Sequence, residues 1–374
     1  MFKQECKKIF RPGRVILVIL LSLIASLSLF ANFWKITGED FGPEDAVAME
    51  VFSDIADRYG ITLSDEELVQ LQNYCEELRK STDQTDEVEE TRLMYYEEWA
   101  RLLQSEVEIH QQYPSAEAWK QYLEEIHAQA GNWGITDFDT DAGVSQEIEL
   151  RFDSHEYWRG IIWDGLTTGT STYFSNLLVW TVIMLGVLLM PLLVGDRMNQ
   201  VRPLQLSSRT GRKIYYRQYG AVLFCGFAIT TVFLLVIGGA FLQNGTLKFL
   251  SCSIYGVLSH TAVVVMTYGQ WWLLNILMLY LVCMGMSGLY FFLSQFAKNY
   301  VGMAVLLILV AVAAWGGLPY IYRNVFLTDN ELYDTLVAKN IFAPWAPVWV
   351  CALICVVGVL LGFGTCVYRQ REEL

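Results

Sequence analysis

A chain of 374 residues with 54% hydrophobic and only 17% charged side chains is too apolar for an ordinary soluble domain, and it reads as a membrane protein. Its formal charge of -13 conceals a division. Residues 35–172 hold 32 of the 39 acidic and 9 of the 26 basic residues, whereas the remainder carries 7 acidic and 17 basic ones. The sequence thus sets an acidic insert into a basic-flanked apolar body, and nothing in it calls for nucleic acid as a partner.

Residues 1–14 form a short amphipathic segment. Phe2, Ile9 and Phe10 alternate with Lys3, Lys7, Lys8, Arg11 and Arg14, which suits a helix lying at the membrane surface. The first charge-free apolar run, 15–34, has the basic start of a secretory signal. It is longer than a signal core and ends in the bulky Phe33-Trp34, so it reads as a retained transmembrane helix.

Residues 35–172 read as a mainly helical domain. Pro43 suits a first helical turn, Val47, Val51, Ile55 and Tyr59 share one face, and Gly60 suits the helix end. Ser64-Asp65-Glu66-Glu67 is a capping-box pattern, followed by the stripe Leu68, Leu71, Cys75 and Leu78. A long helix is expected over 87–110, aligning Tyr95, Trp99, Leu102 and Ile109. A further one after Pro114 carries Trp119, Tyr122, Ile126 and Ala130. With Cys75 the sole cysteine of the insert, the domain must fold by packing rather than by an internal disulfide. Asp137, Asp139 and Asp141 have the spacing that opens a calcium loop, but Ala142 and Ile148 stand where its glycine and bidentate glutamate belong. A hydrated acidic loop is the better reading.

Five more apolar runs follow, at 174–194, 219–242, 271–293, 301–318 and 348–367. Each is close to the roughly 20 residues that carry a helix across the hydrocarbon, and strand-period alternation is absent. The fold class is therefore all-α: a polytopic membrane protein of six transmembrane helices with a large extracytoplasmic insert between the first two. Lys and Arg in short segments set the orientation. The basic N-terminal tail, the loop bearing Arg197, Arg202, Arg209, Arg212, Lys213 and Arg217, and the tail 369–374 with Arg369 and Arg371 all belong in the cytosol. The insert then lies outside, as expected for a multi-pass protein of a bacterial plasma membrane. The apolar stretch 249–268 could make a seventh span, but that would expel the basic C-terminal tail. It reads as interfacial or re-entrant.

No G-x-x-x-x-G-K-[ST], H-E-x-x-H or G-x-S-x-G motif occurs. The four histidines, His110, His127, His155 and His260, are scattered. No Asp, Glu, Lys or Arg lies within the six runs, which argues against an ion-coupled pump with a midplane carboxylate. Cys351 and Cys355 share a helix face without His or carboxylate company and read as packing residues, not as a metal pair. Gly358 and Gly362 make a small-x-x-x-small pair, for packing within the chain or for a dimer seam. Trp271, Trp272, Trp345 and Trp349 sit near run ends, as interfacial anchors would.

The stretch 196–213 is more ordered than topology alone needs. Asp196 and Arg197 leave the second run directly after Pro191, which should bend its last turn. Ser207-Ser208-Arg209-Thr210-Gly211-Arg212-Lys213 leads straight into the third. Ser and Thr can cap a short helix, Gly211 permits a tight turn, and Arg offers forked donors to a partner's carboxylates.

In this, Leu206-Ser207-Ser208-Arg209-Thr210-Gly211-Arg212 resembles the cytosolic coupling segment of permease subunits of type-2 ABC exporters. Met266-Thr267-Tyr268-Gly269-Gln270-Trp271-Trp272 resembles that family's lead-in to the fourth span, and Leu293-Ser294-Gln295-Phe296-Ala297-Lys298-Asn299 the loop after it. The N-terminal segment is similar to the family's interfacial helix. The likeness does not extend to 35–172. It implies a transport subunit that is not itself an enzyme and has no cofactor of its own. The ATP and magnesium would sit on a separate cytosolic ABC ATPase, and the partners would be that ATPase, a second identical or related permease, and membrane lipid. It also implies that Asp196, Arg197, Arg209, Thr210, Gly211 and Arg212 contact the ATPase, although topological anchoring explains the arginines equally well. Thr230, Thr231 and Ser287 are expected to line an apolar, hydroxylated cavity suited to amphipathic cargo such as a peptide, drug or lipid. From another class, a receptor or sensor with a ligand-binding exterior bundle is the alternative, and a membrane scaffold is a third.

Overall fold

The computed structural model describes residues 2–30, 43–81, 86–113, 118, 160–162, 164–200, 214–254, 266–323, 325–326 and 345–372. Among these the chain is helical, without named strands, and two isolated bridges join Thr62 to Gly160 and Ser253 to Thr267.

Helix α1, Phe2–Ile9, meets α2, Pro12–Ser28, at a bend of 46°. Pro12 opens α2, where its missing N–H would have had no helical partner. The helices of the acidic insert are α3, Pro43–Tyr59, α4, Asp65–Ser81, and α5, Glu87–Gln112. Gly60 ends α3 with a φ of 89°, a left-handed conformation that favours glycine. The capping box is formed: Ser64 donates its N–H and hydroxyl to Glu67 at 2.7 Å, and the Glu67 N–H returns to Ser64 Oγ. These donors hold the Glu67 carboxyl below its usual range. Phe52, Ile55, Leu71, Tyr96 and Trp99 make the bundle core, and burial pushes the Cys75 thiol up to about 11. The expected 119–130 helix and the Asp137–Asp139–Asp141 loop lie outside the described residues.

The apolar body contains α6, Asp164–Leu189, α7, Pro191–Met198, and α8, Ile214–Phe233. A π turn, Leu234–Gly238, and a last turn, Gly239–Phe241, extend α8. Then come α9, Tyr268–Leu293, α10, Tyr300–Tyr322, and α11, Ala346–Glu372. Among the described residues five helical stretches are long and apolar enough to cross a membrane, and counting the bent α1–α2 pair as one makes six. Of the most apolar 18 residues in the stretch formed by α6 and α7, 83% are buried, whereas in α10 only 11% are. The first is therefore the centre of the body and the second its rim. The exposed side of α10 is still apolar, with Val301, Val305, Ile308, Leu309 and Val312 uncovered. Water penalises such a face and hydrocarbon does not.

Close glycine contacts join α9 to α11. A Cβ on Gly288 would lie 2.3 Å from the Gly358 carbonyl oxygen, and one on Gly358 would lie 2.0 Å from that of Gly285. Gly362 faces the Tyr219 ring instead, whose hydroxyl donates to the Val359 carbonyl at 2.7 Å. Both glycines of the predicted pair thus pack within the chain. Of the four tryptophans expected as interfacial anchors, Trp345 and Trp349 are exposed but Trp271 and Trp272 are buried. Trp271 donates to the Val325 carbonyl at 2.8 Å.

Residues 255–265 lie outside the described residues, and His260 with them, but the ends of this stretch are paired. Ile254 donates its N–H to Met266, and Tyr268 to Cys252, at 3.0 and 2.8 Å. The chain returns beside the point from which it left. The same region carries the insert's helical bundle: Phe249 stacks on Phe52 at 4.3 Å, and Lys248 bonds Ser53 and Asp57 at 2.6 and 2.8 Å. At the opposite end of the helical body, Met198 closes α7, Ile214 opens α8, and Tyr216 bonds Gln370 near the end of α11.

Candidate functional site

The segment 201–213 lies outside the described residues, and with it Arg209, Thr210, Gly211 and Arg212. The two ends from which it springs are described, and they meet in a buried polar knot. Pro191 starts α7 after the single residue Met190, and α6 and α7 run on as one stretch, Gly165–Met198, to the root of the segment. This brings Asp196, 9% exposed, against α1 and α8.

Lys8 stands at the centre of the knot. Its Nζ lies 2.9 Å from the Asp196 carboxylate and 3.1 Å from that of Glu5. Gln218, at the start of α8, donates to both acids, at 2.8 Å to Asp196 and 3.3 Å to Glu5. Arg14, at the start of α2, donates to the Lys8 carbonyl at 3.0 Å. Two buried carboxylates thus share one ammonium and one amide. A charge so placed is tolerable only when paired and fully hydrogen bonded. The local sequence makes this possible. Glu5 and Lys8 are one turn apart on α1 and face the same side, while Ile9 is buried and the exposed Phe2 meets Phe224 edge-on at 5.8 Å.

Arg197, next in sequence, points the other way. Its fork donates to the carbonyls of Ala297 and Gln295, in the turn between α9 and α10. Asp196 and Arg197 were expected to face a partner ATPase; both engage groups of the same chain. Together they tie the root of 201–213 to the N-terminal helix, to α8 and to the turn after α9. Sequence reasoning missed Glu5, Lys8 and Gln218. One signal was available: Glu5 is the single acid in a tail with five cations.

A groove of about 440 Å³ runs between α2, α6 and α8, lined by Val15, Ser22, Leu188, Ile229, Phe233 and Val236, among others. The π turn of α8 forms part of its wall, and Tyr173 takes up the Ile237 carbonyl there. Such turns are uncommon and recur at functional sites. The hydroxyls expected in a cavity lie elsewhere. Thr230 and Ser287 are fully buried and bond the carbonyls of Gly226 and Cys283 at 2.9 and 2.7 Å, and Thr231 bonds Tyr280 at 2.8 Å. Helix packing between α8 and α9 holds them. Ser22 and Ser26 of α2 supply the groove's hydroxyls.

Among the described residues no three His, Cys, Asp or Glu side chains come together as a metal site. The knot holds no nucleophile of the cysteine or serine type. Its contacts, with those of Arg197, tie the end of α7 to α1, to α8 and to the turn after α9.

No family model, curated protein or solved structure matches the chain.

Proposed function

We propose that this chain is the membrane-spanning permease subunit of an ATP-driven exporter, moving an amphipathic substrate with energy from a separate cytosolic ABC ATPase. The observation that carries this reading is the knot at Asp196 and Arg197. A coupling segment is useful only if its displacement reaches the membrane helices, and here both flanks of 201–213 are fastened to α1, α8 and the α9–α10 turn. Arg209, Thr210, Gly211 and Arg212 would then meet the ATPase, while Asp196 and Arg197 relay the push. ATP and magnesium belong to the partner, and a second permease, identical or related, completes the unit.

The paired ends of 255–265 support an even number of spans. Six spans place both termini and 196–213 in the cytosol and the acidic insert outside, in a bacterial plasma membrane. The groove between α2, α6 and α8 is the best route for cargo among the described cavities, because it is apolar and carries two hydroxyls. A receptor role is the second reading. The contacts of Lys248 with Asp57 and Ser53 favour it, since they join the exterior bundle to the segment after α8.

Co-expression with the ABC ATPase of the same organism, followed by purification in neutral detergent, tests the proposal. The ATPase should accompany the wild-type chain and be lost from the R209E/R212E double variant. A complex and ATP turnover that survive both charge reversals would refute the coupling assignment.

A further inference from the structure

We propose that the groove between α9 and α11, at the end bearing residues 369–372, is a binding site for one anionic phospholipid, its phosphate held by Arg369 and Gln295 and its acyl chain lying along α11.

The two helices touch at Gly285, Gly288 and Gly358, and beyond that crossing bulkier residues line a groove of about 600 Å³. Its long wall is apolar. Val357 and Leu360 are 45% and 60% exposed, and Phe296 opposite is 62% exposed. The exposed apolar face of α11 continues into it, which places it at the depth of acyl chains rather than in water. Its far end is polar, with Arg369, Tyr368 and Gln295.

Two independent observations point to an anionic occupant. The first is charge: Arg369 brings a guanidinium with forked donors, and no Asp or Glu is among the groove's lining residues. The second is an orphan donor. Gln295 Nε2 is buried and has no hydrogen-bond partner among the described residues, a state that costs free energy until an acceptor arrives. A phosphate supplies that acceptor and the opposite charge, and basic pockets between membrane helices are suited to phospholipid head groups. The position also matters. The Gln295 carbonyl accepts from Arg197, so a head group on the side chain of the same residue would brace the turn to which the knot is tied. The inference needs the chain to reside in a membrane. It does not need the chain to transport anything.

Native mass spectrometry of the full chain in neutral detergent tests it, with added phosphatidylglycerol, phosphatidylcholine or inorganic phosphate. One phosphatidylglycerol should remain bound per chain, in preference to phosphatidylcholine, and excess inorganic phosphate should not displace it. R369Q combined with Q295L should weaken retention about tenfold or more, whereas R369K should retain it. Gly364 lines the groove with nothing within 4 Å of an added Cβ, so Gly364→Leu should fill the groove and exclude the lipid without unfolding the helices. A helix melt by circular dichroism checks the folding of each variant. Equal retention of both lipids, full competition by inorganic phosphate, or retention unchanged in folded R369Q/Q295L would each overturn the proposal. So would a dimer that covers α11 and carries no lipid.

Discussion

At the residue scale the decisive group is Lys8. Its ammonium bonds two carboxylates, and its side chain is 25% exposed. Removing it takes the ammonium from both acids and leaves their charges to the neutral Gln218 amide. Breaking a buried ion pair costs roughly 3–5 kcal/mol, and this partly exposed one belongs toward the lower end. Lys8→Met should therefore lower the thermal midpoint of the detergent-purified chain, read by circular dichroism. Adding Asp196→Asn should return part of the loss, because one stranded charge is gone. Strictly additive losses would show that Lys8 and Asp196 are uncoupled. Charge and position made Asp196 visible in the sequence. Its partners were not visible, because Lys8 is 188 positions from Asp196 and Gln218 is 213 from Glu5, and no local pattern links α1 to those residues.

Elements were easier to read where the signal was local. The capping box at Ser64 and Glu67 and the helix end at Gly60 need only a few consecutive residues, and each is formed as expected. Packing partners were harder. Gly358 looked the same whether it met a neighbour in its own chain or in another, and the contact with Gly285 and Gly288 decides for the former. Gly358→Ala would push a methyl into the Gly285 carbonyl and should cost about 1–3 kcal/mol. Gly364→Ala, on the same helix but facing open space, should be tolerated. Thermal melts of the two variants side by side check this; equal behaviour would mean that α9 and α11 do not meet at these glycines. Trp271 and Trp272 teach the same lesson. Proximity to a helix end suggested membrane anchors, whereas burial against neighbouring segments made them core.

For the whole molecule the prediction concerns sidedness. In intact cells, a cysteine replacing exposed Glu50 on α3 should react with a membrane-impermeant maleimide. One replacing exposed Lys298, in the turn held by Arg197, should react only after permeabilisation. Labelling of both in intact cells would place the knot on the same side as the bundle and end the lever reading. The helical body already separates these positions: Lys248 and Phe249 hold the bundle at one end, while Lys8, Asp196 and Tyr216 gather at the other.

Composition and hydropathy by themselves determined that this is a helical, multi-pass type of chain with an acidic helical insert, because the solvent of each segment is written in its own residues. The tertiary structure alone decided that Ile254 pairs with Met266 and Cys252 with Tyr268, and that Gly358 and Gly362 of α11 face inward. It alone placed Asp196 in the knot with Lys8 and Gln218 and Arg197 against the turn after α9. Those outcomes depend on which distant segments meet, and a buried charge or a bare glycine acquires its meaning only from the group brought against it.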